Sequence, residues 1–103
     1  MQPTPVLELL SYRLTAAMTP QHYLAIFRQT APAIARAPGL ISRSLACDDL
    51  GLWTEVAQWS SQAAADAAGQ AVLTDPDVAP LMAAIDMASL TMRFVPILWQ
   101  NPG

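Results

Sequence analysis

Two apolar runs, LISRSLAC (residues 40–47) and LWTEVAQW (residues 52–59), are separated by only four residues, DDLG. A connection that short, acidic and closed by glycine sets the two runs antiparallel as a β-hairpin. The spacing of Trp53 and Trp59 then becomes informative. Six positions on a helix amount to about 600° and put two side chains on different faces. On a strand, an even spacing puts them on one face. Trp53, Glu55, Ala57 and Trp59 therefore share one side of the hairpin, and Leu52, Thr54, Val56 and Gln58 share the other.

The rest of the chain supplies partners for that hairpin. VLELLSYRL (Val6 to Leu14) reads as a first strand, with Val6, Leu10, Tyr12 and Leu14 on one face and Leu7, Leu9, Ser11 and Arg13 on the other. Apolar residues on both faces call for cover on both. Thr19-Pro20 starts a helix, threonine as the cap and proline where its missing N–H costs nothing. Tyr23, Leu24, Phe27, Ala31 and Ile34 follow at helical spacing. Pro32 is expected to kink or shorten the last turn of this helix, and Pro38-Gly39 ends it. Ser60-Ser61 caps an alanine-rich helix from Gln62 to about Leu73, with Ala64, Ala67, Ala68 and Ala71 as a small-residue surface. Asp75-Pro76-Asp77 restarts a short helix with acids at its positive end, carrying Val78, Leu81, Met82 and Ile85, and Pro80 limits where it begins. SLTMRFVPILW (Ser89 to Trp99) reads as the last strand, its end confined by Pro96 to an edge or a bulge.

The order β-α-β-β-α-(short α)-β is the split βαβ arrangement of ferredoxin-like folds. The expectation is one α+β domain over residues 1–103, a four-stranded antiparallel sheet with helices on one face. Hydrophobic residues make up 53% of the chain and charged residues 13%, more apolar surface than so small a domain hides alone. The open sheet face is where that excess belongs, and two sheets stacked face to face make a homodimer, a dimeric α+β barrel. An obligate interface of this kind buries more than roughly 2,000 Å².

Other classes are excluded on chemical grounds. All five basic residues are arginines scattered among eight acids, for a net charge of −3, which argues against a nucleic-acid partner. Cys47 is the single cysteine, so no internal disulfide or multi-cysteine metal site can form, and it is expected as a buried, inert thiol. No apolar run approaches the roughly 18 residues of a membrane span, so no membrane partner is expected and the location is expected to be cytoplasmic. The four glycines each punctuate a turn or helix, which leaves no phosphate-binding or dinucleotide loop.

PGLISRSL, then W-x-E-V-A-Q-W-S-S before an alanine-rich helix, then the D-P-x-x-x-P-L-M segment, together resemble the antibiotic biosynthesis monooxygenase-like family of the dimeric α+β barrel superfamily. The resemblance covers about residues 5–99. It implies the barrel fold and one of several activities: cofactor-independent formation of quinones, haem degradation, or a small protein of unassigned role. The haem-degrading branch uses a histidine on the helical segment before the last strand. Here that segment is VAPLMAAIDMA, without histidine, and the chain's one histidine, His22, lies in the first turn of the first helix. The expectation is therefore a colourless protein with no cofactor.

Oxygenation without a cofactor needs a dry pocket, a group to deprotonate a phenol or hydroquinone, and donors to hold the anion. The expected pocket lies between sheet and helices of one subunit. Its candidate residues are Tyr12, Phe27, Arg43, Trp53, Trp59 and Arg93. His22 falls off the apolar stripe of its helix and is expected in solvent. Arg43 and Arg93 sit on strands and need partners, which Glu8, Glu55 or Asp86 can supply. Two functions remain: a monooxygenase for a small aromatic or quinol substrate, or a non-catalytic dimeric protein that binds a small apolar ligand. Fold alone does not choose between them.

Overall fold

The hairpin forms where the turn chemistry puts it. In the computed structural model, which describes residues 3–101, β1 is Val6–Leu14, β2 is Leu40–Cys47, β3 is Trp53–Trp59 and β4 is Ile85–Pro96. β2 and β3 pair antiparallel, with Cys47 opposite Trp53 and Arg43 opposite Ala57. Asp48 holds their turn: its Oδ1 accepts the backbone N–H groups of Leu50 and Leu52, each at 2.9 Å. Burial along β3 alternates strictly, with Trp53, Glu55, Ala57 and Trp59 inside. The sheet order is β2-β3-β1-β4, and every neighbouring pair is antiparallel. Beyond β4, the Ile97 N–H donates to the Pro5 carbonyl at 2.9 Å, which continues the β1–β4 pairing one step past Pro96.

Two of the three helices follow side-chain caps. α1 (Pro20–Ala35) begins with the Thr19 hydroxyl accepting the His22 N–H at 3.1 Å. Pro32 was expected to kink or shorten its last turn, yet the helix continues to Ala35. Pro32 is exposed, so the backbone group it leaves unbonded meets water rather than the core. α2 (Gln62–Thr74) is capped by the Ser61 hydroxyl, which accepts the Ala64 N–H at 3.1 Å. Gly39 lets β2 start directly against this helix. Its φ is +90°, and a Cβ there would fall 2.6 Å from the Ala64 Cβ and 2.7 Å from the Ser60 Oγ.

Four expectations need correction. Asp75-Pro76-Asp77 does not begin a helix; it forms a turn in which Asp75 Oδ1 accepts the Asp77 N–H at 2.9 Å, and α3 spans only Ala79–Ala84. β4 starts at Ile85 rather than Ser89, because Leu14–Ile85 and Arg13–Asp86 extend the ladder past an irregularity in β1. Ser89 pins that irregularity, its Oγ accepting the Arg13 N–H at 2.8 Å and donating to the Asp86 carbonyl at 2.6 Å. The strand ends at Pro96 rather than Trp99, and Leu98 and Trp99 are exposed beyond it. Cys47 is exposed rather than buried, since it closes the edge strand β2 where no neighbouring strand covers it.

Side chains on the helix-covered face form two apolar clusters. Tyr12, Tyr23 and Trp53 pack with Val78, Leu81 and Ala84 of the α3 region at one end of the sheet. Val6, Ala57 and Trp59 pack with Ala65 and Ala68 of α2 at the other. The buried side of α2 is thus turned by one residue from the expected stripe, and Ala67 and Ala71 are exposed. On the opposite face of the sheet lie Leu7, Leu9, Val56 and Val95, all half-buried.

Candidate functional site

Between the two clusters the helix-covered face changes character. The register sets Glu8 beside Ala57 and Ala57 beside Arg43, and in the next row Leu10 beside Glu55. Three charged side chains therefore share the middle of an otherwise apolar surface. Above them is an open cavity of about 1000 Å³, roofed by the alanine-rich α2 and walled by Ile34, Leu81, Met82, Met92 and Phe94. Its floor is Glu8, Leu10, Arg43, Glu55 and Trp59. The volume is at the upper end of what small-molecule sites occupy.

The charges on the floor are arranged unequally. Glu55 is buried, and its Oε1 accepts from Arg43 Nε at 2.5 Å. The Arg43 guanidinium also lies 4.2 Å from the centre of the Phe27 ring, a cation–π contact. Glu8 has no such cation. Its Oε1 accepts from the Trp59 indole N–H at 3.1 Å. Burial pushes the Glu8 carboxyl above its ordinary value, the Trp59 hydrogen bond opposes that rise, and the Glu55 charge adds to it. A carboxyl that is half-buried, held in place and shifted toward neutral pH is suited to taking or giving a proton.

The structure divides the candidate residues. Arg43 and Trp59 line the cavity. Phe27 sits behind Arg43 and lines a smaller pocket of about 350 Å³ between α1 and β2. Tyr12 and Trp53 are packed away in the first cluster, outside the lining of the cavity. Both contact Tyr23: the Tyr12 and Tyr23 hydroxyls share a hydrogen bond of 2.5 Å, and the Trp53 and Tyr23 ring centres are 4.9 Å apart. Burial raises both phenols, Tyr23 to about 12, so the pair stays neutral at physiological pH. Arg93 pairs in register with Leu9, on the face away from the cavity, and is exposed. His22 is exposed in the first turn of α1.

Glu8, expected only as a partner for a strand arginine, and Tyr23, expected only on the apolar stripe of α1, turn out to matter as a cavity-floor residue and as the anchor of Tyr12 and Trp53. For Glu8 the signal was present: it is the one acid in the same-parity series Val6, Leu10, Tyr12, Leu14. Tyr23 carried none beyond helical spacing, because its role depends on how α1 docks on the sheet. Among the described residues no group of three His, Cys, Asp or Glu side chains is placed to hold a metal ion. No helix among them is long and apolar enough to cross a membrane.

Compared with known proteins, the chain is similar in fold to antibiotic biosynthesis monooxygenase-type structures. A variant of SnoaB, a cofactor-independent oxygenase from Streptomyces nogalater, superposes with a TM-score of 0.72 at 19% identity, covering 97% of this chain and 99% of that one. A Chloroflexus aurantiacus protein assigned as an antibiotic biosynthesis monooxygenase gives 0.70 at 19% identity, over 96% of this chain and 98% of its own. A dimeric ferredoxin-like protein of unknown function from Thermobifida fusca gives 0.68 at 14% identity, over 94% of each chain. No protein-family model matches the sequence, and no curated sequence matches it. The likeness is therefore one of three-dimensional structure, and at these identities it speaks for the fold.

Proposed function

We propose that this chain is a cofactor-independent monooxygenase for a small aromatic phenol or quinol bound in the cavity between sheet and helices, with Glu8 as the proton acceptor. The observation that carries this reading is the Glu8 carboxyl: half-buried on a cavity floor, raised by burial, and oriented by the Trp59 indole. The similarity of fold to a cofactor-independent oxygenase supports it.

Chemically, Glu8 takes the phenolic proton, and the phenolate that results pushes electron density into the ring. Arg43, although held by Glu55, is the one guanidinium on the floor, and it gives the transient phenolate partial electrostatic support. Phe94 and Trp59 hold the ring plane. The electron-rich ring carbon then reduces dioxygen directly: one oxygen atom ends as a new carbonyl on the ring, the other leaves as water with two substrate hydrogens. A phenol plus one dioxygen thus gives a quinone plus one water, and no external reductant is consumed. Proton transfer by a positioned group of this kind contributes about 10²–10⁴ in rate.

Oxygen uptake with naphthol-class phenols, followed together with quinone absorbance, tests the proposal. Wild-type protein should turn over at least one such phenol, and Glu8→Gln should lower kcat by about 100-fold or more with KM little changed. Binding without turnover across the panel would instead favour the non-catalytic ligand-binding role. We further propose that the working unit is a homodimer joined through the open sheet face, where Leu7, Leu9, Val56 and Val95 lie half-buried. A monomer in light scattering at micromolar concentration would refute that assembly.

A further inference from the structure

The charges lining the cavity do not balance. Glu8, Glu55, Asp66 and Asp75 stand against Arg36 and Arg43, four carboxylates to two guanidinium groups. Nor are the two arginines equally available. Arg43 is engaged by Glu55 and stacked on Phe27, and Arg36 is exposed at the C-terminal cap of α1. Asp66 accepts from the Gln62 side chain, and Asp75 caps its own turn. β4 contributes only apolar side chains to the wall. The one acid on the floor without a cationic partner among the described residues is Glu8. Its Oε1 is taken by Trp59, and no buried side-chain oxygen lacks a partner, so Oε2 is open to the cavity.

We infer that this cavity selects its ligand by charge: it takes neutral or cationic aromatic molecules whose hydroxyl or ammonium group donates to Glu8, and it turns away carboxylates and phosphates. The inference rests on the cavity being the ligand site, and it stands independently of whether that ligand is oxygenated. A donor brought to Oε2 replaces the water it displaces. An anion must instead give up its hydration shell facing Glu8 and Glu55, with the only floor cation already committed. Exclusion by like charge of this kind is a common source of specificity. It also makes a pH prediction. Glu55 from β3 and Arg43 from β2 act on Glu8, and Arg36 after α1, Asp66 from α2 and Asp75 after α2 line the same cavity. The Glu8 carboxyl is displaced upward, so discrimination against anions should strengthen as pH rises and Glu8 ionises.

Calorimetric titration with three probes of matched shape provides the test: 1-naphthol, protonated 1-naphthylmethylamine and 1-naphthoate. At pH 7.5 the first two should bind, and naphthoate should bind at least about tenfold more weakly, the effect of one like charge at screened contact range. Stepping the pH down from 7.5 until Glu8 takes up its proton should narrow the naphthoate gap in the wild type. In Glu8→Gln the gap should be smaller and no longer move with pH. Naphthoate binding as tightly as naphthol overturns the charge rule while leaving the site intact. A gap unaffected by both Glu8→Gln and pH overturns the role given to Glu8. Failure of all three probes to bind overturns the cavity as the ligand site, and the charge rule with it.

Discussion

Replacing Arg43 by methionine keeps most of the aliphatic stem and removes the charge, which leaves Glu55 without its partner. Glu55 is only 8% exposed, and an orphaned carboxylate at such a position costs about 3–5 kcal/mol. Loss of the guanidinium from the face of Phe27 adds about 0.5–1 kcal/mol. Against this, the pair lies on the floor of an open cavity, where water can reach the carboxylate once the arginine is gone. The expected net loss is about 2–4 kcal/mol, a substantial part of the roughly 5–15 kcal/mol that holds a domain of this size together. In thermal unfolding that corresponds to a fall in Tm of roughly 10–25 °C. Urea denaturation at fixed protein concentration measures it directly. Most of the loss comes from the orphaned Glu55 carboxylate, so Arg43→Met combined with Glu55→Gln should recover at least about half. A single variant that loses under about 1 kcal/mol would refute the argument, as would a double variant no more stable than the single.

Trp59→Ala should cost roughly 3–5 kcal/mol, the range for truncating a buried large aromatic, whereas His22→Ala should cost under about 0.5 kcal/mol; denaturant melts giving equal losses would contradict both placements. Gly39→Ala should destabilise by more than about 1 kcal/mol, because it meets both an unfavourable φ and the Ala64 and Ser60 side chains; an unchanged urea midpoint would show that α2 yields freely. Glu8 should impose a pH dependence on stability with a definite sign. Its folded value is raised above 4.5, so the folded state holds the proton more tightly, and Glu8's contribution is fully present below about pH 4 and lost as pH rises through the raised value. Glu8→Gln should flatten that decline in a series of urea melts between pH 4 and 8, and an identical decline in the variant would move its origin elsewhere.

What could be read from the chain and what could not divide along the range of the interactions involved. The alternation of β3 and the caps at Thr19 and Ser61 are local, set by side-chain parity and by single hydrogen bonds, and they were legible. The start of β4 was not. Ile85 to Ala88 carries no turn signal after α3, and only the pairing of Leu14 and Arg13 across the sheet draws it into a strand. The exposed thiol of Cys47 likewise follows from β2 being an edge strand, a fact of strand order rather than composition. The candidate site shows the same division. Arg43 with Glu55 was foreseeable as an ion pair between strands, and Trp59 as a wall. The separation of Tyr12 and Trp53 from the cavity depends on Tyr23 and the α3 region filling that end of the sheet, which no spacing in the sequence records.

The pairing of β1 with β4 joins residues nearly a whole chain apart, Val6 opposite Pro96 and Leu10 opposite Met92. Loops of that length cost little more in stability than shorter ones but slow the search for the partner strand. Glu8 belongs to β1, and Met92 and Phe94 belong to β4, so the cavity has neither its full floor nor its far wall until β1 and β4 have paired. During synthesis β4 emerges after the other six elements, and a ribosome-bound chain lacking it can form the hairpin and its helices while offering no enclosed site. Under the proposed function, ligand capture would report on completed folding, since only a chain in which β1 and β4 have paired encloses the cavity.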